Sequence, residues 1–188
     1  MTTYDVLDGP GREQPRRAPR LLLVGIVVLA ALAWGADRWA QSRELDRLVA
    51  AVSATEGVVD ASAESLRSLE QYQGTGENGS AALRASLLGN LGRDAGRWTG
   101  QLDEQHRAVS SVHVLPWHSG LRRARATYLT RVGSWSRFLA QIHANPEQLL
   151  GERPELRTTR DAAATALDAV AGGRRDVAHL TAGLRGEG

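Results

Sequence analysis

Residues 16–39 read RRAPRLLLVGIVVLAALAWGADRW, and the role of this run sets the class of the rest of the chain. From Leu21 to Ala36 there are 16 residues without a charge, bounded by Arg20 and Asp37. A bilayer span takes about 20 apolar residues, with a lower limit near about 17. The flanks supply the difference: Arg20 can snorkel outward, Ala18 and Pro19 fit an interface, and Trp34 and Trp39 suit the aromatic belt at the far end. Arg12, Arg16, Arg17 and Arg20 precede the run, with one acid, Glu13, in that same basic stretch. After it Asp37, Glu44 and Asp46 cancel Arg38, Arg43 and Arg47. By the positive-inside rule the N-terminus stays cytoplasmic and the bulk of the chain lies outside.

Two other readings compete. Ala31-Leu32-Ala33 has the small-x-small form of a signal-peptidase site, with cleavage after Ala33 giving a secreted protein. Trp34 directly after the cut is awkward, and the apolar helical pattern continues past it. Alternatively the run is the first buried helix of a soluble core. The expectation is a signal-anchor over 21–36, behind a disordered cytoplasmic tail over 1–20 that carries Gly9, Pro10, Gly11, Pro15 and Pro19.

Beyond the anchor, large apolar residues return every seven positions. Leu45, Val52, Val59 and Leu66 form one row, with Leu48, Thr55, Ser62 and Leu69 beside it. QGTGENGS (73–80) breaks the chain. Leu87, Leu91, Trp98, Leu102, Val109 and Val112 then share a face, and VLPWHSG (114–120) follows. Leu121, Tyr128, Trp135 and Ile142 are again seven apart, as are Leu156, Ala163, Val170, Val177 and Leu184 after ANPEQLLGERP (144–154). Nothing alternates with period two, so the chain is all-α. These segments predict helices over about 37–72, 80–113, 117–145 and 154–184, forming an up-down-up-down four-helix bundle over 37–185. At 1.5 Å per residue it would be about 45 Å long, with the 114–120 turn and the C-terminus returning to the lipid surface.

Gly92, Gly96 and Gly100 recur every four residues, at a cost of about 1 kcal/mol each relative to alanine. Ala50, Ala54, Gly57 and Ala61 make a small stripe on the first helix, and an antiparallel hairpin would bring the two stripes together. The glycine spacing resembles a membrane dimer motif, but Arg93, Asp94 and Arg97 exclude lipid there.

Composition removes many chemistries. There is no cysteine, hence no disulfide, thiolate nucleophile, iron–sulfur cluster or lipid-modified cysteine. All 23 basic residues are arginine, which fits GC-rich bacterial coding, and net charge is only +2. Asp103-x-x-His106 and Asp176-x-x-His179 match the helix placement of di-metal carboxylate pairs, yet no acid occurs between Glu104 and Glu147 to complete such a site. With no phosphate loop and no G-x-S-x-G either, neither an enzyme nor a cofactor or metal is expected.

The charge distribution is more telling. Residues 105–146 hold six arginines, four histidines and no acid, whereas 37–72 hold seven acids against four arginines. In LPWHSGLRRAR, Leu115 and Trp117 are placed to enter an interface while Arg122, Arg123 and Arg125 meet anionic head groups or an acidic partner. The patch lacks the aromatic interleaving that reads nucleic acid. The architecture resembles, in outline only, the extracytoplasmic four-helix sensing domains of bacterial receptors and the single-span subunits of envelope and division complexes. No motif carries either likeness, so no residue role transfers. The expected function is that of a non-enzymatic, single-pass accessory subunit binding a protein or anionic surface in the envelope; the alternative is a sensor-like bundle binding a small ligand.

Overall fold

Heptad-spaced apolar rows require helices that bury one face, and the computed structural model has them. It describes residues 18–74, 81–146 and 154–186, and every regular element among these is helical. The helices are α1 (Ala18–Gly74), α2 (Ala81–Ser111), α3 (Ser119–Ala144), α4 (Pro154–Ala171) and α5 (Arg175–Arg185). Most of the predicted tail, along with parts of the loops at 73–80 and 144–154, lies outside the described residues. Contacts divide the chain into two units, Met1–Ala40 and Gln41–Gly188.

In the first unit, α1 begins at Ala18, within the predicted tail. Leu23, Val24, Ile26, Val27, Val28, Leu29, Leu32 and Trp34 are 51–68% exposed, so the apolar surface covers every side of the helix. Among the described residues this is the one helix long and apolar enough to cross a membrane, and none of its apolar window is buried within the chain. The alternative of a buried first core helix is therefore not what the structure shows. Arg38 stacks over the Trp34 ring at 5.2 Å.

In the second unit, Leu45, Leu48, Val52, Val59 and Leu66 of α1 are buried, with Leu91, Trp98, Leu102 and Val109 of α2 and Leu121, Tyr128, Val132, Leu139 and Ile142 of α3. Hydrogen bonds fix the helix directions. Val52, Glu56 and Ser62 of α1 meet Tyr128, Arg131 and Trp135 of α3 at sequence separations of 72–76. A near-constant separation means that α1 and α3 run the same way. Between α2 and α3 the separations shrink from 51 (Gly92–His143) to 33 (Asp103–Ser136) and 13 (Val112–Arg125), so these two are antiparallel.

The single helix expected over 154–184 is two helices. Gly172 and Gly173 adopt φ of 57° and 82°, a left-handed conformation that only glycine takes at little cost, and α5 turns back on α4. Asp168 closes this hairpin by accepting hydrogen bonds from the Thr181 hydroxyl at 2.6 Å and from the Arg185 guanidinium. The heptad row ran through the break because both arms face the same core: Ala163 and Leu167 on α4, Val177 and Leu184 on α5.

The expected meeting of the two small stripes also needs correction. A β-carbon at Gly92 would come within 3.2 Å of Pro146, and one at Gly96 within 3.0 Å of the His143 ring, so these glycines admit the end of α3 rather than α1. Gly57 and Gly100 have nothing within 4 Å, and Ala50, Ala54 and Ala61 are exposed. The large apolar rows of α1 turn inward, since each buried Leu or Val is worth about 1.5–3 kcal/mol, and this leaves the small stripe on the outer face.

Two predictions follow for the intact protein in detergent. Gly173→Ala should destabilise by about 1–2 kcal/mol because its φ is positive, whereas Gly100→Ala should stabilise by up to about 1 kcal/mol; denaturant melts with opposite shifts would agree, and equal shifts would not. The Asp168 carboxyl is held below its ordinary value of 3.8, first by the Thr181 hydroxyl and also by Arg185. Its contribution is complete above that ordinary value and is lost as pH falls through the lowered one. The stability gap between wild type and Asp168→Asn should thus be constant from pH 5 to 7 and should shrink below about pH 4.

Candidate interaction surface

The connection from α2 to α3 is held to α1 by one buried carboxylate. Glu44, 6% exposed, accepts the Leu115 N–H at 3.0 Å on Oε1, and its Oε2 lies 2.6 Å from Nδ1 of the buried His118. The chain reverses tightly here: the His118 N–H bonds the Leu115 carbonyl at 3.0 Å and the Ser119 N–H bonds the Trp117 carbonyl at 2.9 Å. Pro116 sits where no N–H is required. Trp117 stands edge-on to the His118 ring, 6.0 Å between centroids, and is 65% exposed.

The sequence placed Leu115, Trp117, Arg122, Arg123 and Arg125 together, and the structure gives them separate tasks. Leu115 is half-buried and tied to Glu44. The Arg125 guanidinium donates to the Val112 carbonyl at 2.5 Å and reaches the Ser110 carbonyl at 3.5 Å, so it satisfies the C-terminal end of α2. Arg122 and Arg123 are exposed in the first turn of α3, and among the described residues no carboxylate pairs with either. At the same end, Arg174 bridges Asp46 at 2.6 Å and Asp176 at 2.5 Å. The exposed face of the turn is thus one tryptophan with two arginines.

Behind this face lies a second buried polar group, which the sequence reading missed. Arg131 holds Glu56 through two parallel bonds, Nε to Oε1 at 3.0 Å and NH2 to Oε2 at 2.5 Å, and the Tyr128 hydroxyl donates to the same Oε1 at 2.6 Å. Burial, reinforced by the Glu56 charge, pushes the Tyr128 pKa far up, so the phenol keeps its proton and remains a donor. A turn further on, the Trp135 indole donates to the Ser62 hydroxyl at 2.9 Å. Thr55 and Ser62, standing in rows otherwise filled by Leu and Val, were the available signal that polar partners cross this core.

The metal-like pairs do not converge. Asp103 meets Ser136 at 3.4 Å, Asp176 is bonded to Arg174, and His179 is exposed. Among the described residues no three His, Asp or Glu side chains gather in a position to hold an ion. An open groove of about 320 Å³ lies between α1 and α2, lined by Ser65, Ser68, Leu87, Asp94 and Trp98.

No family model, curated protein or solved structure matches this chain.

Replacing Arg131 by Met strands the Glu56 carboxylate and should cost about 3–5 kcal/mol, whereas Arg131→Met together with Glu56→Leu should recover much of the loss. A double-mutant cycle by chemical denaturation measures the coupling, and simple additivity would show that the pair does not act as a unit.

Proposed function

We propose that the protein is a non-enzymatic, single-pass membrane subunit of the bacterial cell envelope. Leu21–Ala36 anchors it with the N-terminus cytoplasmic. The following helices form an up-down-up-down bundle outside the membrane, its fourth position filled by the α4–α5 hairpin. The observation that carries the reading is the apolar stretch of α1. Its eight large side chains between Leu23 and Trp34 are all more than half exposed. Burying each is worth about 1.5–3 kcal/mol, together about 12–24 kcal/mol. That matches or exceeds the whole stability of an ordinary domain, about 5–15 kcal/mol, so this segment belongs in lipid. The arginines that precede it support the orientation.

The task of such a subunit is interaction. Its polar interior is taken up by structural bonds, while Trp117, Arg122 and Arg123 are presented outward on a turn fixed by Glu44. A second reading, a sensor-like bundle that binds a small ligand, is favoured by the groove beside Trp98 and Asp94.

Alkaline carbonate extraction of native membranes, followed by intact mass, tests the anchor. The protein should remain in the pellet at full length. A released species beginning at Trp34 would replace the anchored reading by a secreted one.

A further inference from the structure

We propose that the exposed turn formed by Trp117, Arg122 and Arg123 docks onto acidic phospholipid head groups of the bilayer in which the chain is anchored; the inference rests on the anchored reading above. Four observations carry it. First, the segment that forms the turn carries charge of one sign: no acid occurs between Glu104 and Glu147, Glu44 is buried in bonds to Leu115 and His118, and Asp46 and Asp176 at the same end are bonded to Arg174. Second, the arginines differ in availability, because Arg125 is engaged with the end of α2 while Arg122 and Arg123 are exposed and meet no carboxylate among the described residues. Third, an aromatic with a polar edge, 65% exposed, stands five and six residues ahead of the two arginines, the pairing that interfacial segments use.

The fourth is reach. The turn is bonded to Glu44, eight residues after Ala36, the last residue of the apolar run. Eight residues span at most roughly 28 Å even when fully extended. Anchoring the run therefore confines the turn close to one lipid surface, at a high effective concentration, whatever path the connecting residues take. A surface so confined meets lipid head groups before any diffusing partner, and two arginines with a tryptophan match their phosphates and ester layer.

The test uses the full chain in vesicles. Because the protein has no cysteine, Ser119→Cys provides a single site for a nitroxide beside Trp117. With phosphatidylglycerol present, the label should move to the interface, more accessible to oxygen than to a water-soluble nickel chelate. It should return to water in pure phosphatidylcholine or at 0.5 M salt, where charges are screened beyond about 4 Å. Arg122→Gln with Arg123→Gln should lower the ratio of docked to free turn roughly thirtyfold while the protein still floats with the vesicles. A floating protein whose label stays in water in every lipid overturns the docking proposal and leaves the anchor standing. A label shielded only when native membrane proteins are added assigns the surface to a protein partner and also overturns it. A chain that fails to float removes the anchor and the proposal together.

Discussion

The buried Glu56 carboxylate is the constraint on which the second unit depends. A charge taken from water into a helical interior is costly unless its oxygens are filled, and here two bonds from Arg131 and one from Tyr128 fill them. All three donors lie on α3, so the carboxylate is satisfied only when α1 and α3 run in the same direction at one register. A slip by one turn would leave it stranded. Apolar residues alone would tolerate such a slip, because Leu and Val rows repeat every seven residues and remain in contact when shifted. Glu44 with His118, and Ser62 with Trp135, repeat the same choice nearer the two ends.

This ordering of the interior separates arginines that look equivalent in the sequence. Arg131 completes a buried ion pair, Arg125 satisfies carbonyls that α2 leaves open, and Arg174 ties the hairpin to Asp46. What remains outside on the turn is a short basic segment ending in Trp117, held in shape by Glu44 from beneath. Fixing the turn from inside keeps Trp117, Arg122 and Arg123 exposed on its outer face. The apolar stretch of α1 and this turn then form two halves of one reading, in which lipid holds the chain and also supplies its first neighbour.

Much of the helical content was legible because period seven is a strong signal: the starts and ends of α2 and α3 fall within two residues of those expected from Leu, Val and Trp spacing. The break between α4 and α5 was legible too, in Gly172-Gly173 followed by Asp176, but an unbroken heptad row across it suggested one helix. Periodicity reports which residues face a core and is silent on whether the backbone reverses between them. The glycine stripe misled for a related reason. Gly92 and Gly96 do mark close approach, yet the sequence does not state what approaches, and it is His143 and Pro146 rather than α1. The bonds of Arg125 to the end of α2 were not legible because a carbonyl partner has no letter of its own. Burial of Glu56 and Arg131 was hidden by the ordinary preference of charged residues for solvent.

The separations along the chain also carry an order of assembly. Asp168 finds Thr181 and Arg185 only 13 and 17 residues away, while Glu56 must wait for partners 72 and 75 residues distant. Closing a short loop costs less entropy and is faster, so the hairpin of α4 and α5 can assemble early as a local unit, before α1 and α3 find each other. By the same entropy argument the Glu56–Arg131 pair, 75 residues apart, is expected to close after the hairpin and to fix the register of α1 on α3. During synthesis α1 emerges first, and its carboxylate stays hydrated until α3 follows. The polar lock thus acts as a checkpoint in time as well as a pin in space.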